Sequence, residues 1–196
     1  MFRSGDEKKW VKLYNSLFLA LNEKKQVLTW HFTQGEKFEF VKDILSKLKE
    51  RDNFEVEMFL LDNCCKWDLL IKDVFGNEIL VKLDPFHAIQ RITSTIRKKH
   101  PFHKEICNDL RNLLRDHFDL SSKTRTRATA PKEVILERLD KIVARWESLE
   151  YLLEDRSLIT VETREAIWNL RKHIQKGCLS DIPAGCSTGA NENLHR

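Results

Sequence analysis

At 196 residues with a formal net charge of +4, the chain has room for one ordinary domain, or one domain carrying a large insertion, and little room for two independent ones. Hydrophobic residues at 41% and charged residues at 33%, with only six Gly and four Pro, exclude a disordered bulk and favour helix. Five cysteines, odd in number and with Cys64 and Cys65 adjacent, exclude a disulfide framework and point to a reducing compartment, nucleus or cytosol. No apolar run approaches the ~18 residues of a membrane span, and MFRSGDEKKW holds no apolar signal stretch, so a soluble chain is expected.

Residues 1–10 are polar, with no alternating apolar run, and predict no central strand. Two short apolar runs, Ser16-Leu17-Phe18-Leu19-Ala20-Leu21 and Val27-Leu28-Thr29-Trp30-His31-Phe32, flank the polar turn 22–25 and predict a hairpin. From 36 to 51, Phe38, Val41, Ile44, Leu45 and Leu48 recur at the three-four spacing of a helix face, which Asp52-Asn53 ends. Residues 55–61 begin in alternation and finish as Met58-Phe59-Leu60-Leu61, the pattern of a central strand buried on both faces. A short helix with Trp67, Leu70, Ile71 and Phe75 stops at Gly76-Asn77, and Ile79-Leu80-Val81-Lys82-Leu83 resumes as a strand. From Pro85 the periodicity predicts helix almost to Lys176, with 121–131 as the one long polar break. The tail from Cys178 to Gly189 has loop composition.

Chemistry concentrates at strand ends. Asp62 and Asp84 each follow a predicted strand, where an open α/β sheet places its ligands; acidic residues also end strands as turn formers and helix N-caps. His87, one turn into a helix, is placed either to orient Asp62 or contact a phosphate, or to be a satisfied buried histidine. His100, His103 and Cys107 share one helical face at zinc-ligand spacing, without a visible fourth ligand. Cys64 and Cys65 read as small apolar packing residues beside Asp62. Trp146 and Trp168 fall on helical stripes and read as core. The densest positive charge lies at Arg97, Lys98 and Lys99 and at Lys123, Arg125 and Arg127, a pattern that suits phosphate contacts and fits a solvated loop as well.

Three segments carry a resemblance: Val27-Leu28-Thr29-Trp30 to Glu36; Met58-Phe59-Leu60-Leu61-Asp62-Asn63-Cys64-Cys65; and Val81-Lys82-Leu83-Asp84-Pro85-Phe86-His87-Ala88-Ile89-Gln90-Arg91. With the closing Ile182-Pro183-Ala184-Gly185 and Thr188-Gly189-Ala190-Asn191-Glu192-Asn193-Leu194-His195-Arg196, they resemble the catalytic core of eukaryotic DDE transposases related to Mutator-like elements. The likeness runs from about Val11 to Arg196.

The resemblance implies a fold: α/β, a partial ribonuclease H-like mixed sheet over 11–100, a large all-helical insertion over 101–177, and a return segment over 178–196 bearing the final glutamate. It matches Asp62 to the second catalytic aspartate and Glu192 to the final glutamate, both as metal ligands, and Asp84 and His87 to a secondary motif beside the site. The family's first aspartate has no counterpart, so the chain is expected to begin after the first catalytic strand. In-line displacement at a phosphodiester uses two hard cations ~3.5 to 4 Å apart, and oxygen ligands suit Mg2+ or Mn2+; with one carboxylate missing, turnover is expected to collapse. The expected function is therefore a fragment or decayed copy of a transposase catalytic domain, inactive as this chain, nuclear, with DNA as partner, no membrane, and room for a homo-oligomer. The alternative is a transposase-derived, non-catalytic DNA- or protein-binding module. A third reading is a zinc-dependent helical interaction protein.

Overall fold

In the computed structural model, which describes residues 2–4, 9–11, 14–35, 37–116, 128–151, 159–186 and 188, the apolar runs around the polar turn close as an antiparallel hairpin. Strand β3 (Ser16–Leu21) pairs with β4 (Val27–Thr33), Phe18 opposite His31 and Leu19 opposite Trp30. The amide side of the turn is held by Asn22, whose Oδ1 accepts from the backbone N–H of Gln26 at 2.8 Å. Ahead of it, β1 (Phe2–Ser4) and β2 (Lys9–Val11) pair antiparallel, Phe2 opposite Val11. The polar first ten residues, which offered no central strand, thus still form short strands: a three-residue ladder rests on backbone hydrogen bonds, which any proline-free stretch supplies without apolar alternation.

Contacts divide the described residues into two units, one within 1–59 and 65–80, the other within 60–64 and 81–188. In the first, helix α1 (Glu39–Lys49) packs against β4 and buries the predicted stripe Val41, Leu45 and Leu48. Arg51 ties it to the hairpin by donating to the Leu28 carbonyl at 2.7 Å. Helix α2 (Cys64–Phe75) meets α1 through Lys42 and Asp73 at 2.7 Å, through Lys49 donating to the Val74 carbonyl, and through the edge-on rings of Phe38 and Trp67. It stops where expected, at Gly76, whose φ of +105° is open to glycine and strained for other residues.

Strand β5 (Met58–Leu61) pairs with β6 (Leu80–Leu83). The amide of Leu80 reaches the Glu57 carbonyl at 2.9 Å and that of Asp84 the Leu61 carbonyl at 3.0 Å; both residue numbers advance together, so the pair is parallel. All four β5 residues are half-buried, not sealed on both faces as the apolar run suggested. With β6 as its single neighbour among the described residues, the strand lacks the flanking strands that would make it central.

The second unit is mostly helical: α3 (Pro85–Thr93), α4 (His103–Leu113), α5 (Lys132–Tyr151) and α6 (Val161–Gln175). The predicted helix from Pro85 to the 121–131 break is interrupted after Thr93, because Pro101 offers no N–H and biases the residue before it away from helix. Ile96 and His100 in that interruption are nonetheless buried, which is why their spacing imitated a helix. A continuous core of Leu83, Ile92, Ile106, Leu110, Leu113, Ile135, Leu139, Trp146, Leu170 and Ile174 joins the four helices. Trp146 is sealed in it and its indole N–H donates to Asp109 at 3.1 Å. Trp168 is 55% exposed, against the expectation that it is core: it sits one residue past Ile167, about 100° round the helix from the buried stripe. The architecture is thus mixed α/β, with three two-stranded sheets and six helices among the described residues. No described helix is long and apolar enough to cross a membrane.

Candidate functional site

The segment after β6 explains how Asp84 is held. Asp84 is the N-cap of α3: its Oδ1 accepts from the backbone N–H of Phe86 at 2.6 Å and of His87 at 3.2 Å, with Pro85 at the first helical position. Its Oδ2 accepts from both the backbone N–H and the hydroxyl of Thr188, the latter at 2.8 Å. Four donors thus occupy the two oxygens of a carboxylate that is completely buried. Buried charge is tolerated only when so satisfied.

The same cap sets the direction of His87. Its Nε2 lies 3.4 Å from Oδ1 of Asp62, which follows directly after β5. The Thr188 hydroxyl also approaches Asp62 Oδ1, at 3.2 Å. A hydroxyl has one proton, so the 2.8 Å bond to Asp84 takes the larger share of it. Arg91, one turn further along α3, donates to the Asp62 carbonyl. Asp62, Asp84, His87 and Thr188 therefore form one constellation within the second unit. Asp62 is its open member, its side chain 57% exposed.

Of the sequence-derived candidates, Asp62, Asp84 and His87 come together. Glu192 lies outside the described residues, as do Lys123, Arg125 and Arg127. Arg97, Lys98 and Lys99 are all exposed in the turn between α3 and α4. Thr188, though it opens the closing segment of the resemblance, was not singled out as a site residue: a threonine in a loop carries no periodic signal, and its contacts are with residues more than a hundred positions away.

A hard divalent cation needs several oxygen ligands with free lone pairs. Asp62 offers that. Asp84 does not, because its oxygens already serve the cap and the Thr188 tie, so it supports the site without being a ligand. One open carboxylate among the described residues is not a complete cation site, and no chemical step is drawn through a metal.

His100, His103 and Cys107 do not form a ligand cluster. His103 Nε2 and Cys107 Sγ are 3.6 Å apart on one turn of α4, but His100 Nδ1 accepts from the Phe102 N–H at 3.2 Å. Cys64, as expected, is buried, whereas Cys65 is exposed, since successive helix positions diverge by about 100°. A cleft of about 310 Å3 opens between α3 and α6, lined by Arg91, Glu162, Glu165, Asn169 and His173 among others.

No family model, curated protein or solved structure matches this chain.

Proposed function

We propose that the chain carries part of a DDE transposase catalytic core, with a ribonuclease H-like arrangement around β5 and β6, and that it does not cleave DNA by itself. In this reading Asp62 is the second catalytic aspartate, Glu192 the final glutamate, and Asp84 with His87 the supporting motif. The observation that supports it most is the return of the chain to Asp62 after the helical block: Thr188, four positions before Glu192, contacts both Asp62 and Asp84. A three-carboxylate site needs just such a return. His87 beside Asp62, at the carboxyl end of a parallel strand pair, agrees with the same scheme. Asp62 and Glu192 would hold Mg2+ or Mn2+, which would activate the attacking oxygen when bound. Two carboxylates by themselves would hold one of two such cations poorly. DNA is the partner class, met through the exposed Arg97, Lys98 and Lys99.

A crystal grown with manganese tests the reading. The expected result is an anomalous peak near Asp62, with the carboxyl groups of Asp62 and Glu192 within ~10 Å of each other, close enough for a shared cluster, and no nicking of supercoiled DNA in the same buffer. Carboxyl groups farther apart would overturn the assignment. Nicking abolished by Asp62→Ala would overturn the claim of inactivity.

A further inference from the structure

A different set of side chains, unrelated to the carboxylates, meets at the carboxyl end of α6. The helix closes with Gly177 at φ +74°: the N–H of Gly177 reaches the Ile174 carbonyl at 2.8 Å and that of Cys178 the His173 carbonyl at 2.9 Å. This paired bonding is a Schellman closure. It turns the chain back on itself, so that Cys178, five positions after His173, sits against the last turn of the helix. Lys82 fixes the turn by donating to the carbonyls of Gly177 and Ser180 at 2.7 and 3.1 Å, and the Leu83 amide donates to Cys178 at 2.9 Å. Cys64 arrives from the other side of the sequence, two residues after Asp62.

The sulfurs of Cys64 and Cys178 and a ring nitrogen of His173 lie within 4.8 Å of one another, and Cys64 Sγ is 3.8 Å from His173 Nδ1. The edges of a tetrahedral zinc site with sulfur and nitrogen ligands are roughly 3.5–3.8 Å, given Zn–S near 2.3 Å and Zn–N near 2.0–2.1 Å. Both cysteines are buried in the core cluster while His173 reaches the cleft between α3 and α6. Three donors from two distant stretches of the chain, 109 positions apart for Cys64 and His173, are more than core packing requires. Two thiolates and an imidazole are soft to borderline ligands that select zinc over magnesium or manganese.

We propose that Cys64, His173 and Cys178 hold a structural zinc ion that pins the turn after Asp62 to the end of α6. Binding releases the two thiol protons, so that the ion's charge meets two thiolates and a neutral imidazole. The fourth position is open to water. This is independent of the transposase reading and stands or falls without it.

The test uses the full chain without a histidine tag, purified under reducing conditions, stripped with a chelator and titrated with Co2+. The expected result is one equivalent bound with a thiolate-to-cobalt charge-transfer band and the intense visible bands of a tetrahedral site, displaced by one equivalent of Zn2+. Cys178→Ser should weaken cobalt binding by well over tenfold, since loss of groups that merely support metal ligands already costs about 10-fold to 100-fold. Cys107→Ser should leave it unchanged. The wild-type spectrum reads the ligand set whether or not a variant folds. A weak octahedral spectrum without charge transfer would overturn the proposal, as would binding that survives Cys178→Ser and vanishes in Cys107→Ser.

Discussion

Trp146 in the helical unit is 1% exposed, and Trp30 on the β3–β4 hairpin is 59% exposed. Around Trp146 the stripes of α4, α5 and α6 face one another, and each covers the others' apolar side. On the hairpin, Trp30 and Tyr14 pack against Phe32, edge-on and stacked respectively, and all three residues remain at least half exposed. A helix needs one partner to bury its stripe, whereas a two-stranded sheet has two faces and is marginal without more strands or a covering layer. Apolar content is therefore a poor guide to where stability resides in this chain.

The largest expected effect separates the two tryptophans. Trp146→Ala should destabilise the helical unit by about 3–5 kcal/mol, measured by chemical denaturation followed by far-ultraviolet circular dichroism. Trp30→Thr should change stability by no more than about 0.5 kcal/mol. A cost of several kcal/mol at Trp30 would break the comparison and show that the aromatic face of the hairpin is covered in solution.

A smaller contrast lies between the two aspartates of the constellation. Asp84→Ala removes a helix cap worth about 1 kcal/mol and leaves the Thr188 amide without its acceptor, which adds about 1–3 kcal/mol. Asp62→Ala, at an exposed position, should cost under about 1 kcal/mol. Equal losses in thermal denaturation would mean that Asp62 is as much a structural residue as Asp84.

Of the two carboxylates, it is Asp84 whose role could be read locally. An Asp-Pro pair between an apolar strand and a helical stripe is an N-cap signal within five residues, and the cap is there. Nothing local distinguishes Asp62 from any other turn-forming aspartate until His87 is placed beside it. The hairpin, α1, α2, β6 and the start of α3 were legible because alternation, three-four spacing, Gly76 and Pro85 act over a few residues. The break at 94–102 was not, because Ile96 and His100 are buried without being helical.

The smallest expected effect is a pH dependence. Glu162, at the first turn of α6, is held below the usual glutamate range by a hydrogen bond from Thr160 and by its own backbone N–H. Asp73 in the first unit is held down by its hydrogen bond to Lys42 and by that lysine's charge. In each case the unfolded chain binds the proton more tightly, so the stabilisation is present above the ordinary carboxylate range and is lost as pH falls through the lowered value. Both groups are fully exposed, so the loss is slight. Acid denaturation of the helical unit in Glu162→Gln should be shallower than in wild type below about pH 4, and an unchanged slope would remove Glu162 from the account.

The sequence by itself determined the order of most elements and the helical character of the second half, and offered a helix cap as one reading of Asp84, since periodicity and capping are decided by neighbours a few residues apart. It named Asp62 and His87 as candidates and offered their meeting as one of two readings of His87. Their approach, the Thr188 bridge and the meeting of Cys64, His173 and Cys178 depend on how α3 and α6 pack and on the Schellman turn at Gly177. Contacts between residues separated by a hundred positions are selected by the burial of whole helix faces, and no short stretch of this chain encodes them.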